Sequence, residues 1–223
     1  MSMPVRHLVL APFVALSACA APEPPLELWE VEAGVLLSAQ LADRFQERLL
    51  ERLQAAIAAE GIVAAIHVCA EQAPAMARAL AAESGASVRR TALRHRNPSA
   101  RPDAYEARVL ESWAQAPVDA TGRPKRQHAV SRDGLEERLL FLRAIPTGPQ
   151  CLACHGEADA IAPEVREAIS ARYPDDMATG FAAGDLRGAF SIGWDARALR
   201  RAIARTGASH GLASAGLDNG GGS

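Results

Sequence analysis

Leu37, Leu41, Phe45, Leu49, Leu53 and Ile57 recur every four residues, with Arg44, Glu47, Arg48, Glu51 and Arg52 between them. That spacing predicts a long amphipathic helix with one apolar stripe, ended at Gly61. The next segment, IVAAIHVCAEQ, is apolar but short, and its pattern fits a helix or a strand. Pro74 suits the first turn of a helix reaching Ala81 and stopped by Ser84-Gly85. Ser87 to Arg94 alternates and predicts a strand. Pro98 and Pro102 make RNPSARPD a loop, and Asp103 caps a helix through Trp113 and Gln115. Glu137 to Ile145 predicts a buried strand, Pro163 to Arg172 a short helix, and Gly188 to Ile192 a last strand before the helix DARALRRAIA. No internal repeat is present. These elements predict an α+β fold, a small antiparallel sheet with flanking helices.

The chain start follows a different pattern. Arg6 precedes an apolar run from Leu8 to Leu16, then small residues and Cys19. The run is too short to stay in a bilayer and predicts an export signal. Leu16-Ser17-Ala18-Cys19 resembles a bacterial lipobox, in which cleavage exposes the cysteine for lipidation. Cleavage as an ordinary signal peptide near Ala18 to Ala20 is the alternative. A cysteine at the cleavage point of a cysteine-poor chain favours the lipoprotein. The expected layout is a signal over 1–18, a Pro-rich tether over 19–27, one domain over 28–205 and a disordered tail over 206–223. The expected location is the periplasmic side of a bacterial envelope, with membrane contact through the lipid on Cys19 only. Lys and Arg number 24 against 26 Asp and Glu, a net charge of −2, which argues against nucleic acid as a partner.

Chemistry concentrates in Cys151-Leu152-Ala153-Cys154-His155. Two thiols three positions apart match the two vinyl groups of a haem, and the adjacent histidine supplies an iron ligand, so the pattern predicts one covalently attached c-type haem. A thioredoxin-like pair should follow a strand and open a helix, which the Pro-rich approach does not resemble. A zinc site would need a fourth ligand. Opposite His155, the residues leave Cys69, Met76, Met177, His67, His95 and His128 as candidates. Met76 and Met177 lie on apolar patterns where methionine is usually core. Cys69 is the unassigned thiol in an exported chain, where an unpaired cysteine is unusual. The basic block RRTALRHR predicts arginines that pair with haem propionates, Arg90 and Arg96 first among them.

AIHVCAEQAPAMA, VRRTALRHRNPSARPDAYE, CLACHG and YPDDMATGFAAGDLRGAFSI occur in this order between Ala65 and Ile192. In these blocks the chain resembles the Tll-like c-type haem domain family, from about Leu28 to Trp194. Tyr105 and Phe181 depart from the aromatics expected there. The resemblance implies a PAS-like fold and iron held by His155 and Cys69. Two protein ligands leave no open site for substrate, so no enzymatic activity is expected. The implied role is a haem-based redox or diatomic-gas sensor. The alternative is a low-potential electron-transfer cytochrome. In either case the partner is a redox or signalling protein at the membrane.

Overall fold

The four-residue apolar repeat builds helix α1, Leu28–Glu60, longer at both ends than the repeat itself. A capping box between Glu27 and Glu30 starts it, and Leu41, Phe45 and Leu49 turn inward. The structure is a computed structural model that describes residues 23–133 and 136–207. The segment expected to be a signal, Cys19 and the residues from 208 onward lie outside the described residues.

After Gly61 the ambiguous segment is helical: α2, Ala64–His67, runs into a five-residue π-helical turn, Val68–Gln72, and on into α3, Ala73–Ser84. Gly85 closes α3 in the left-handed region, φ 86°. Strand β1, Ser87–Thr91, stops three residues short of the alternating run. Asp103 and Glu106 form a capping box for α4, Ala104–Trp113. Strands β2, Arg126–Asp133, and β3, Glu136–Pro146, form an antiparallel pair. The attachment motif occupies a 3-10 turn, Pro149–Cys151, and the single turn α5, Leu152–His155. Helix α6, Pro163–Arg172, matches its predicted bounds. Strand β4, Leu186–Asp195, is longer than expected, and Asp195 caps α7, Ala196–Arg205.

The sheet is antiparallel in the order β1-β4-β3-β2, so the predicted α+β class is the one observed. Alternation splits its faces. Leu139, Phe141, Phe190 and Trp194 pack under α1, α3 and α7, while Leu142, Ala144 and Ala189 meet Val109, Leu110 and Trp113 of α4. A third cluster joins Ile66 and Ala70 to Ile161, Val165, Ile169 and Tyr173, which fastens the α2 segment to α6.

Two features depart from the sequence expectation. Strand β2 was not foreseen, because RQHAVSRD is polar and largely exposed; its order comes from pairing with β3 at the sheet edge. The described end of the Pro-rich stretch is no free spacer either. Glu23 pairs with Arg197 and Arg200, the carbonyls of Pro24 and Pro25 accept from Arg200, and the Leu26 amide donates to Glu137. No helix among the described residues is long and apolar enough to cross a membrane.

Candidate functional site

The motif turn is clamped by the loop that leads into β4. The amides of Gly180 and Phe181 donate to the carbonyls of Gly156 and His155, at 2.7 and 2.9 Å. Gly180 has φ 71°, a conformation that favours glycine. Below them lies Arg96, 9% exposed. It pairs with Asp176 at 3.0 Å and donates to the carbonyls of Cys154 and Ala178 at 2.7 and 3.2 Å. Asp176 also accepts from the Ala178 amide. Arg96, expected at a propionate, thus ties the motif helix to the 176–178 loop.

His155 is oriented by that loop. Its Nδ1 lies 2.6 Å from the Ala178 carbonyl, which can only accept, so Nδ1 carries the proton. Nε2 is left with a lone pair facing inward. Burial, then Arg187 and Arg96, hold the imidazole pKa down to about 2, so the ring is neutral at any physiological pH.

Cys151 and Cys154 are free thiols, both partly buried. Cys154 packs with the Ile66–Tyr173 cluster. Burial pushes its thiol pKa up, Arg96 draws it back, and Cys69 and Cys151 push it up again. Cys69 and Cys151 are therefore each within electrostatic reach of Cys154. Cys69 sits on the π-helical turn, where the Ala73 amide reaches back to Val68. Such turns recur at functional sites because one extra residue per turn re-aims a side chain. Cys69 is also felt at Tyr173 and at Arg187.

The other distal candidates fall elsewhere. The His67 side chain is 60% exposed and pairs with Glu71 at 3.6 Å; on a helix it points away from Cys69. Met76 packs into the core with α1. Met177, expected on an apolar face, is instead in a loop and 51% exposed. His128 is exposed on β2. The His95 Nδ1 is buried without a partner, and its carbonyl accepts from Met177. Among the described residues no group of three or more His, Cys, Asp or Glu is placed to hold a metal ion, so the zinc alternative finds no cage there.

Sequence reasoning missed Arg187. It enters from β4 with Nε 3.5 Å from His155 Nε2, donates to the Arg94 carbonyl at 3.2 Å, and lies over the Phe181 ring. Arg94 stacks on the same ring at 4.1 Å and donates to the carbonyls of Met177 and Gly180. Arg90, from β1, lies 5.9 Å over Phe45. Arg187 stands in the GDLRGA block, so its position was visible though its role was not. Tyr173 was also missed; burial and then Cys69 raise its pKa.

No curated protein matches the chain. Among solved structures it resembles one titled "Crystal structure of the cyanobacterial heme-protein Tll0287", at 29% identity over 58% of this chain and 72% of that one, with a TM-score of 0.47. The profile of the Tll0287-like family matches residues 28–194. With three quarters of its length under that match, the chain belongs to the Tll0287-like family.

Proposed function

We propose that the chain is an exported, lipid-anchored protein carrying one covalently attached haem c, with His155 and Cys69 as its axial ligands and redox or diatomic-gas sensing as its role. The observation that carries the proposal is the state of His155. It is neutral, locked by Ala178 through Nδ1, and offers Nε2 beside two free thiols on the same turn. That donor set fits a c-type haem: Cys151 and Cys154 would form the thioethers, and His155 the proximal bond. Tll0287, the solved relative, is described as a heme protein.

Bound there, the haem would supply a one-electron couple. The protein's residues would set what that couple does. Ala178 fixes the tautomer and raises the basicity of His155. Cys69, as a thiolate, donates strongly and favours ferric over ferrous iron, which lowers the potential. An anionic sulfur at Cys69 would be held less tightly by ferrous than by ferric iron, and that difference is what a sensing role would use. No substrate site remains while both ligands are in place, so the proposed role is not enzymatic. The partner is a redox or signalling protein at the membrane surface.

Full-length protein made with its export signal should keep its haem through denaturing electrophoresis. A wild type that loses haem there, or shows none, sinks the proposal. Labelled fatty acid should enter wild type and not Cys19→Ala; equal labelling removes the lipid anchor from it.

A further inference from the structure

Arg187 is a half-buried cation to which no carboxylate is bound among the described residues. Its partners are a main-chain carbonyl, the lone pair of a neutral imidazole and the face of Phe181. The acid within its electrostatic reach, Asp176, is already bound to Arg96 and the Ala178 amide. Arg90 makes no hydrogen bond or ion pair with any described residue and rests only on Phe45. Elsewhere the fold pairs its inward arginines with acids: Arg96 with Asp176, Arg143 with Asp43, Arg200 with Glu30. Burying like charges together without counter-charge is costly, and a site that does so is completed by an anion.

We propose that Arg187 of β4, with Arg90 of the paired strand β1, binds a carboxylate of the cofactor, taking a haem propionate as its counter-ion. The assignment rests on the haem proposal above. Its logic is positional. The Nε2 lone pair of His155 that Arg187 now faces is the one an iron ligand must use, so the guanidinium gives way when that bond forms. Tethered to β4, it stays within one side-chain length of the ring. Guanidinium is the group suited to such a task, since its fork meets a carboxylate with two parallel hydrogen bonds. Arg96 and Arg94 are excluded from the role because their donors hold the 176–180 loop.

The test uses the haem-loaded full chain and reads the propionate directly. In resonance Raman spectra the propionate bending band of Arg187→Gln should shift from its wild-type position. At a fixed solution potential its ferrous-to-ferric ratio should fall about tenfold, as loss of a nearby positive charge in a partly buried site requires. Arg187→Lys should keep the ratio near wild type but shift the band, since an ammonium cannot make the paired bonds. Arg201→Gln, which removes the same formal charge from an exposed position on α7, should change neither. A small anion from solution is the other source of this chemistry. It would make the wild-type melting temperature rise with added phosphate, an effect absent in Arg187→Gln. An unmoved propionate band in both Arg187→Gln and Arg187→Lys, or that phosphate dependence, overturns the assignment. If Arg187→Gln retains no haem, Arg187→Lys and Arg90→Gln decide on the same band. A wild type without covalent haem would instead defeat the haem proposal itself.

Discussion

Two inward-reaching arginines on neighbouring strands, one buried and one half-buried, serve opposite ends. Arg143, on β3, is 4% exposed, pairs with Asp43, donates to Ala42 and Gln46 of α1, and stacks on Phe190. Arg187, on β4, has a carbonyl, an imidazole and a ring. Burial lowers the pKa of both and a carboxylate pushes each back, but Asp43 is bound to Arg143 itself, whereas Asp176 is bound to Arg96 and not to Arg187. The first is a fastener between helix and sheet. The second places its charge 3.5 Å from the His155 Nε2. Arg143 holds its counter-charge within the fold; Arg187 has no carboxylate bound to it among the described residues.

The largest expected effect lies wholly on the site side. Cys151→Ala with Cys154→Ala should abolish covalent haem, read by haem staining after denaturing electrophoresis, while circular dichroism reports the same helix content. Loss of the fold in that variant would erase the division between body and site.

Asp43→Ala tests the other side. It strands Arg143 and should cost about 2 kcal/mol in urea unfolding, below the ~3–5 kcal/mol of a fully buried pair because the Asp43 side chain is 52% exposed. The haem potential should not move. A shift there would mean that the body's ion pair and the site are coupled.

Acid should loosen the protein through His155. Its folded pKa is about 2 against an ordinary 6.5, so below pH 6.5 the unfolded chain binds a proton that the folded one refuses. Stability is unaffected by this group above that pH and falls as pH drops from 6.5 toward 2, by about 1.4 kcal/mol per unit. Urea midpoints of the haem-free double alanine variant at pH 7, 6 and 5 should show the slope. Adding His155→Gln should flatten it, and an unchanged slope would show that His155 is not the neutral, buried group described.

Cys69→Ala should change stability least, about 1 kcal/mol for one partly buried sulfur, and yet change the spectrum most. With the distal thiolate gone, ferric protein should turn high-spin and its potential should rise. Cys69→Met should raise it further. A sensor should also bind carbon monoxide when reduced. Ferrous wild type that refuses it, keeps its coordination and exchanges electrons rapidly with a soluble cytochrome would favour the electron carrier.

Much of the fold was legible because it is written locally. Helix α6 keeps its predicted bounds, α4 its Asp103 cap, and α3 its Gly85 stop, each set by residues within a turn of the boundary. Strand β2 was not legible, since an exposed edge strand needs no apolar alternation and is defined by its partner. The 23–27 segment read as a tether because Pro content says nothing of Arg197 and Arg200, some 170 residues away.

The site divides in the same way. Attachment needs two thiols and an imidazole at fixed spacing, and one helical turn provides that spacing, so Cys151, Cys154 and His155 stand out in the chain unaided. Whether AIHVC was helix or strand, and so where Cys69 and His67 point, depended on Ile66 and Ala70 finding Ile161 and Val165 across the fold. Arg96 and Arg187 look alike as letters. Only tertiary contact gave one an aspartate and left the other facing His155 Nε2. Local spacing and capping act through the covalent chain and are carried by sequence order. Counter-charge and proximity between residues dozens of positions apart exist only after the sheet has brought them together.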